Sequence, residues 1–367
     1  MNQRALDLTT GVGAAYPTKL LCEVGWDVVK VEPQAGDPLR RAASRWGGGI
    51  GGAFVYVNYG KRSVTVDHVT LGALAAQADV VVGDFTPHGC AEADLPPDLY
   101  DQLSPRAVLA SVSAFGLSGP KAPWTSGDLI LQAASGLMFL TGEADQPPMQ
   151  LPPYAAAMTG GLAAASAVMA AVRSHRLDSQ SRRLDLSMME AMTALIHGQV
   201  SQYLQSGEVV RREQRIKQAL RMVPSSDGYI YCAPGAVASV RMEGIAQLLD
   251  EPRLAQERFQ TAEGRMQNWE AYLELFVSPF AAKTAKQWFE EAEALHLTFT
   301  LVQTVDELFQ CPQLVARQFM RQVPGPDGTS VAIPGRPFTM ERMAPVCRPA
   351  PRTPGQDTDA VIAAWLA

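Results

Sequence analysis

The segment Gly11-Val12-Gly13-Ala14-Ala15-Tyr16 lies between an apolar run and a helical pattern, and Glu32 closes the next apolar run. Glycines in such a turn let backbone amides approach a pyrophosphate, and an acid after the second strand can hold a ribose. Tyr16 stands where Gly or Ala would let helix and strand pack closely, so an ordinary βα turn is the simpler reading than a nicotinamide site. Gly47–Gly52 (GGGIGG) could wrap a phosphate, yet no Lys-Ser/Thr follows as in a P-loop, and a mobile loop accounts for it. His68, His88, His175, His197 and His296 form no HExxH or HxH pattern and read as solvated or packed imidazoles. No serine sits in GxSxG, so a nucleophile elbow is absent. Among the acids, Glu143 and Asp145 read as surface charges of a turn-rich loop, and Asp128 reads as the N-cap of a helix.

The elements that position these residues alternate. Ala5–Leu8, Asp27–Val31, Ser63–Val66, Val80–Val82, Ala107–Ser111 and Arg183–Ser187 read as strands. Helical patterns cover 16–24, 71–78, 128–140, 155–172 and 188–205. The alternation predicts an α/β fold with a mostly parallel sheet covered on both faces. After Gly207 a charged stretch leads to a turn and strand at Pro224–Cys232, then to amphipathic helices with Trp269, Tyr272, Leu273, Phe276, Trp288 and Phe289 as expected core. The expected division is a Rossmann-like large domain begun by 1–207, a linker 208–223, a smaller mainly helical domain 224–320, and a return segment 321–367 to the large domain.

A chain of 367 residues with 47% hydrophobic and 19% charged residues has the composition of a globular protein. A net charge of −6 offers no basic stripe, so no nucleic-acid partner is expected. Five cysteines without CxxC or CxxH spacing favour reduced thiols, no metal site and a cytoplasmic setting. The first residues, MNQRALDLTT, do not read as a signal peptide. The uncharged stretch after Asp145 is built of Ala, Gly, Ser, Thr and Pro, which predicts a helix packed on all sides inside the protein rather than a membrane span.

Several strings, in order, resemble the family III CoA-transferases. They include ALDLTTGVGAAYPTKLLCEVGWDVVKVEP, GDPLR at Gly36–Arg40, NYGKRSV at Asn58–Val64, ADVVVGDFTPHG at Ala78–Gly89, SAFGLSGP at Ser113–Pro120 and RRLDLSMMEAM at Arg182–Met192. The resemblance covers nearly the whole chain. It implies the family III fold as an interlocked dimer of ring-shaped subunits. It also implies an Asp nucleophile that attacks an acyl-CoA thioester, giving a mixed anhydride and then an enzyme–CoA thioester.

That Asp falls on Ala157, in Ala156-Ala157-Met158-Thr159-Gly160-Gly161, and a methyl group has no lone pair. The resemblance places CoA contacts at Val12, Gly13, Arg40, Lys61 and Phe85. Asp84-Phe85-Thr86 stands where the family has Asn-Phe-Arg/Lys, and Glu92 stands near an expected phosphate-binding Arg; both changes weaken attraction for a polyanion. Gly127 replaces the His of related racemases, which disfavours racemisation.

The resulting expectation is a catalytically silent subunit, with an active paralogue as partner in a heteromer. CoA thioester and carboxylic acid are the substrates, and no tightly bound cofactor is expected. Two-subunit relatives act on acids such as benzylsuccinate with succinyl-CoA as donor. The competing readings are an active enzyme using a displaced acid (Glu143 or Asp145), a chain whose Asp was replaced to trap a complex, an NAD-dependent oxidoreductase, and a non-enzymatic acyl-CoA-binding or scaffold protein.

Overall fold

Short runs that are apolar on both faces form the buried central strands Arg4–Leu8, Val80–Gly83 and Val108–Ser113 of a six-stranded parallel sheet. The computed structural model describes residues 3–42, 50–143, 146–212, 222–232, 242–325, 328–341 and 348–367. The strands are β1 (Arg4–Leu8), β2 (Asp27–Val31), β3 (Arg62–Val64), β4 (Val80–Gly83), β5 (Val108–Ser113) and β6 (Arg182–Ser187), in the order β3-β2-β1-β4-β5-β6. Leu6 lies opposite Val29 on one side and Val81 on the other. The direction of winding reverses between β1 and β4. In an open parallel sheet such a reversal leaves a crevice beyond the carboxyl ends of the strands.

The helices that accompany this sheet include α1 (Val12–Glu23), α2 (Gly52–Asn58), α3 (His68–Gln77), α4 (Pro87–Glu92), α5 (Leu99–Gln102), α6 (Asp128–Ala134), α7 (Ala155–Asp178) and α8 (Met188–Ala194), followed by α9 (His197–Ser206), none of whose residues is buried. The last helix, Thr358–Leu366, returns to the edge strand β3: the amide of Asp357 donates to the Ser63 carbonyl, and its carboxylate accepts from the Ser63 amide. Val361 and Trp365 complete the core on that side.

Two expected helices are broken. The pattern over 128–140 stops at Ala134, because Gly136 takes φ +83° and only a 3-10 turn, Met138–Leu140, follows. The pattern over 188–205 splits into α8 and α9, where the amides of Leu195 and Ile196 bond to carbonyls three residues back. The expectation for the Ala-rich helix is also corrected. It is long and apolar enough to cross a membrane by length and composition, but one face is buried in the protein and Leu162, Met169 and Leu177 stand exposed on α7.

Small residues on α7 have a physical reason. A Cβ on Gly161 would lie 2.8 Å from the Gly13 carbonyl oxygen and 2.8 Å from Tyr16 Cβ. One on Gly160 would lie 2.4 Å from Met188 Cγ. Helices α1 and α7 therefore cross almost backbone to backbone, and Gly161 makes the room that Tyr16 takes.

Contacts divide the chain into two units, the first Met1–Met138, Gln150–Ser201 and Gln313–Ala367, the second Phe139–Met149 and Gln202–Pro312. The second unit thus takes in Phe139–Met149, which the sequence places with the first, and ends at Pro312 rather than 320. Arg212 explains the capture of that loop: its guanidinium donates to the carbonyls of Phe139, Glu143 and Gln146 at 2.7–3.2 Å. Within this unit β7 (Met222–Pro224), β8 (Tyr229–Cys232) and β9 (Phe299–Leu301) form an antiparallel sheet. The rings of Tyr272, Phe276, Phe280 and Trp288 pack in series beside it, and Trp288 Nε1 donates to the Phe280 carbonyl at 2.9 Å. In the first unit, β10 (Met320–Pro324) and β11 (Ser330–Pro334) form a hairpin.

The helix crossing is testable. Gly161→Ala is expected to lower stability by about 1–3 kcal/mol through overpacking against fixed backbone, despite alanine's better helix propensity. A urea midpoint unchanged or raised in this variant would contradict the close crossing.

Candidate active site

The crevice at the strand reversal holds a pocket of about 250 Å³. The turn after β1 brings Thr10, Val12 and Gly13 to it, the turn after β4 brings Asp84, Thr86 and His88, and the start of α7 brings Ala157. Gly11 caps α1 at φ +80°, a conformation glycine adopts without penalty. The pocket therefore sits where the topology alone would place a ligand.

Beneath it lies a set of buried charges. Lys61 Nζ, fully buried, donates to Asp7 Oδ2 at 2.6 Å, the Ala15 carbonyl at 3.0 Å and Asn58 Oδ1 at 3.1 Å. An ammonium has three donors, and all are used. Arg40 grips Glu32 through two bonds of 2.7 Å and reaches the carbonyls of Pro351 and Arg352 at 3.0 Å. Lys30 pairs with Asp37 at 2.9 Å and donates to the Thr9 carbonyl. Burial opposes the charge on Lys30, but Asp37, Asp7 and Glu32 hold its ammonium above the usual range.

These pairs bear on several expectations. Arg40 and Lys61 do not offer free charge to a nucleotide, since carboxylates inside the protein answer both. Glu32, the ribose-binding acid of the NAD reading, is occupied by Arg40 and Ser63. Phe85 is a core residue: its ring covers Gly83, lies 5.1 Å from that of Tyr100 and does not line the pocket. Val12 and Gly13 do line it. Of the glycine loop, Gly47–Gly49 lie outside the described residues, while Gly51 approaches so closely that a Cβ would meet the Leu39 carbonyl at 2.1 Å.

Three carboxylates face the pocket, Asp84, Glu92 and Asp128, and no Lys or Arg is among its described lining residues. Burial pushes the Asp84 carboxyl up, partly offset by bonds from the Thr86 amide and hydroxyl at 3.0 and 2.7 Å. Glu92 Oε2 accepts from the Thr10 hydroxyl at 2.8 Å. Asp128 is not the cap of its own helix, whose N-cap is Gly127. Its Oδ1 instead accepts from the Ala157 amide at 3.0 Å, and its Oδ2 accepts from Gln132 Nε2 at 2.7 Å. The N-cap of α7, Tyr154, is in the left-handed region at φ +70° and makes no side-chain cap. Asp128 thus caps α7 from across the pocket, one backbone atom from the methyl of Ala157.

Sequence reasoning passed over His88, Trp124 and Tyr154, which also line the pocket. His88 had a signal, the Thr86-Pro87 pair that starts α4 at the end of β4. Glu143 belongs to the second unit, and Asp145 lies outside the described residues.

Against this geometry, comparison with known proteins is specific. The model of CoA-transferase family III matches residues 2–358, and the chain belongs to that family. It is 26% identical over 352 residues to the succinate–glutarate CoA-transferase of Agrobacterium fabrum, covering 90% of this chain and 86% of that protein. It is 25% identical to succinyl-CoA:(R)-benzylsuccinate CoA-transferase subunit BbsE of Thauera aromatica, covering 91% and 86%. A CaiB/BaiF family protein from Brucella suis has the same fold, with a TM-score of 0.85 at 25% identity over 99% of this chain and 98% of that one. CoA-transferases act on CoA thioesters, which makes the pocket beside Ala157 the place to ask about chemistry.

Two outcomes follow from the charges. Asp7, which burial alone would raise, is held down from 3.8 to about 2 by Lys61 and Lys30. Its folded pKa lies below the unfolded one, so its contribution, about 2 kcal/mol, is present above pH 4 and lost as pH falls toward 2. Urea midpoints that stay flat between pH 5 and 2 would contradict it. Asp128→Ala removes the cap of α7 and is expected to cost about 1 kcal/mol, with faster hydrogen exchange at the Ala157 amide. Unchanged exchange there would show the bond to be unimportant.

Proposed function

We propose that this chain is the silent subunit of a two-subunit family III CoA-transferase. An active paralogue carrying Asp at the position of Ala157 would perform the transfer. The substrates would be an acyl-CoA of the succinyl-CoA type and a carboxylic acid acceptor. The observation that carries this reading is the methyl of Ala157 in a pocket whose remaining carboxylates are already bonded. Covalent transfer needs an oxygen lone pair aimed at the thioester carbon, and that position has none.

Electrostatics supports the same reading. A phosphate approaching a carboxylate at roughly 8 Å meets about 2 kcal/mol of repulsion at an effective dielectric of 20, and no described cation in the lining offsets it. A retained but silent subunit also fits the exposed apolar residues on and beside the long helix, Leu129, Ile130, Leu162, Met169 and Leu195. Such a surface suits burial against a second chain, and an interlocked dimer would supply one. The relative from Thauera aromatica is itself described as a subunit. The chain would work in the cytoplasm, away from membrane and nucleic acid.

A second reading has its own observation. If this chain does transfer CoA by itself, Asp128 is the acid to suspect, because it is the carboxylate bonded at residue 157. It would first have to give up the Ala157 amide and Gln132.

Purified alone, the chain is expected to show no CoA transfer with succinyl-CoA and dicarboxylic acceptors, and Ala157→Asp to restore little. Activity is expected when the paralogue from the native host is added. Strong transfer by the isolated chain would overturn the silent reading, and its loss in Asp128→Asn would establish the second.

A further inference from the structure

The first unit carries another cleft, of about 660 Å³, along the β10–β11 hairpin and the segments on either side of it. Its character is the reverse of the pocket at Ala157. Arg317, Arg321 and Arg336 line it, and no Asp or Glu is among its described lining residues, in a chain of net charge −6. Phe319, Phe338 and Tyr59 supply flat apolar surface.

We propose that this cleft binds a nucleoside diphosphate, its phosphates on the arginines and its ring system against the phenylalanines. Arg336 is the fixed point. It is buried to 8% exposure, its Nη1 donates to the Glu23 carbonyl at 3.1 Å, and its guanidinium lies 5.6 Å from the centre of the Phe338 ring. Arg321 is half-buried, and its shaft passes so near the chain at Gly335 that a Cβ there would stand 2.9 Å from Nε. Neither Arg317 nor Arg321 pairs with a carboxylate among the described residues. This contrasts with Arg40 and Lys61, whose charges are consumed inside the fold.

The class of ligand follows from the inventory. Guanidinium groups present planar forks of donors that match phosphate oxygens, and three of them suit a diphosphate better than a single carboxylate. Aromatic faces add stacking and exclude water. The volume lies within the range of about 300–1,000 Å³ typical of small-molecule sites. The backbone at the rim is strained, with Gln318 at φ +51°, a conformation that costs free energy and clusters at ligand clamps.

Calorimetry on the full chain with ADP, pyrophosphate and adenosine tests this. ADP is expected to bind, pyrophosphate more weakly, and adenosine about tenfold or more below ADP, a gap of about 1.4 kcal/mol. Arg321→Ser and Arg317→Ser, verified as folded by circular dichroism, should each weaken ADP about tenfold. Arg321→Lys keeps the charge but loses the fork, and should fall between. Trp124→Ala, in the pocket at Ala157, should leave ADP binding unchanged. Absence of ADP binding at millimolar concentration, equal binding of adenosine, or full affinity in both serine variants would each overturn the proposal.

Discussion

Six buried charges hold the carboxyl ends of β1 and β2 to the segments that follow them: Asp7 with Lys61, Lys30 with Asp37, and Glu32 with Arg40. In low dielectric an unanswered charge is costly, so such a set stabilises only when every partner is present. Its geometry ties the turn after β1, the start of α1, the segment at Asp37–Arg40 and the end of α2 into one base under the crevice. The same completeness has a consequence for ligands. Cations that could have faced the pocket are turned inward and neutralised, while Asp84, Glu92 and Asp128 remain on its wall.

Above that base, the crossing of α1 and α7 sets where residue 157 points. Gly13 and Gly161 remove the side chains that would hold the helices apart, so the first turn of α7 lies directly against the β1–α1 turn. Residue 157 then lines the crevice. The fold of CoA-transferase family III is kept here with an alanine at residue 157. Asp128 keeps the helix start in order by accepting from the Ala157 amide, a bond that needs only the backbone of residue 157. The start of α7 is therefore held in order independently of the side chain at residue 157.

The central strands were legible in the sequence because both of their faces are buried, which writes continuous runs such as Val80–Val82. Helix ends were less so. The break at Gly136 depends on a positive φ, and that between α8 and α9 on local bonds that no apolar spacing reveals. Charges were the hardest to read. Lys30 and Lys61 look like surface residues in a string, and their partners lie elsewhere in the chain, so only the folded sheet shows that they are spent. Asp128 was read as a helix cap, and it is one, but for a helix that starts 27 residues later. Phe85 packs in the core while Asp84 turns to the pocket, because adjacent residues leaving a strand point in different directions. That Ala157 matters to the pocket needed the resemblance to be seen at all, because an alanine among alanines carries no signal.

Under the proposed function, no acyl or CoA group is carried on this chain. Intact-mass measurement of both subunits, quenched during turnover with succinyl-CoA and an acceptor acid, asks this directly. A covalent CoA adduct on the paralogue and an unshifted mass for this chain are expected. A CoA-sized mass increment on this chain, mapped to a carboxylate lining the pocket beside Ala157, would contradict it.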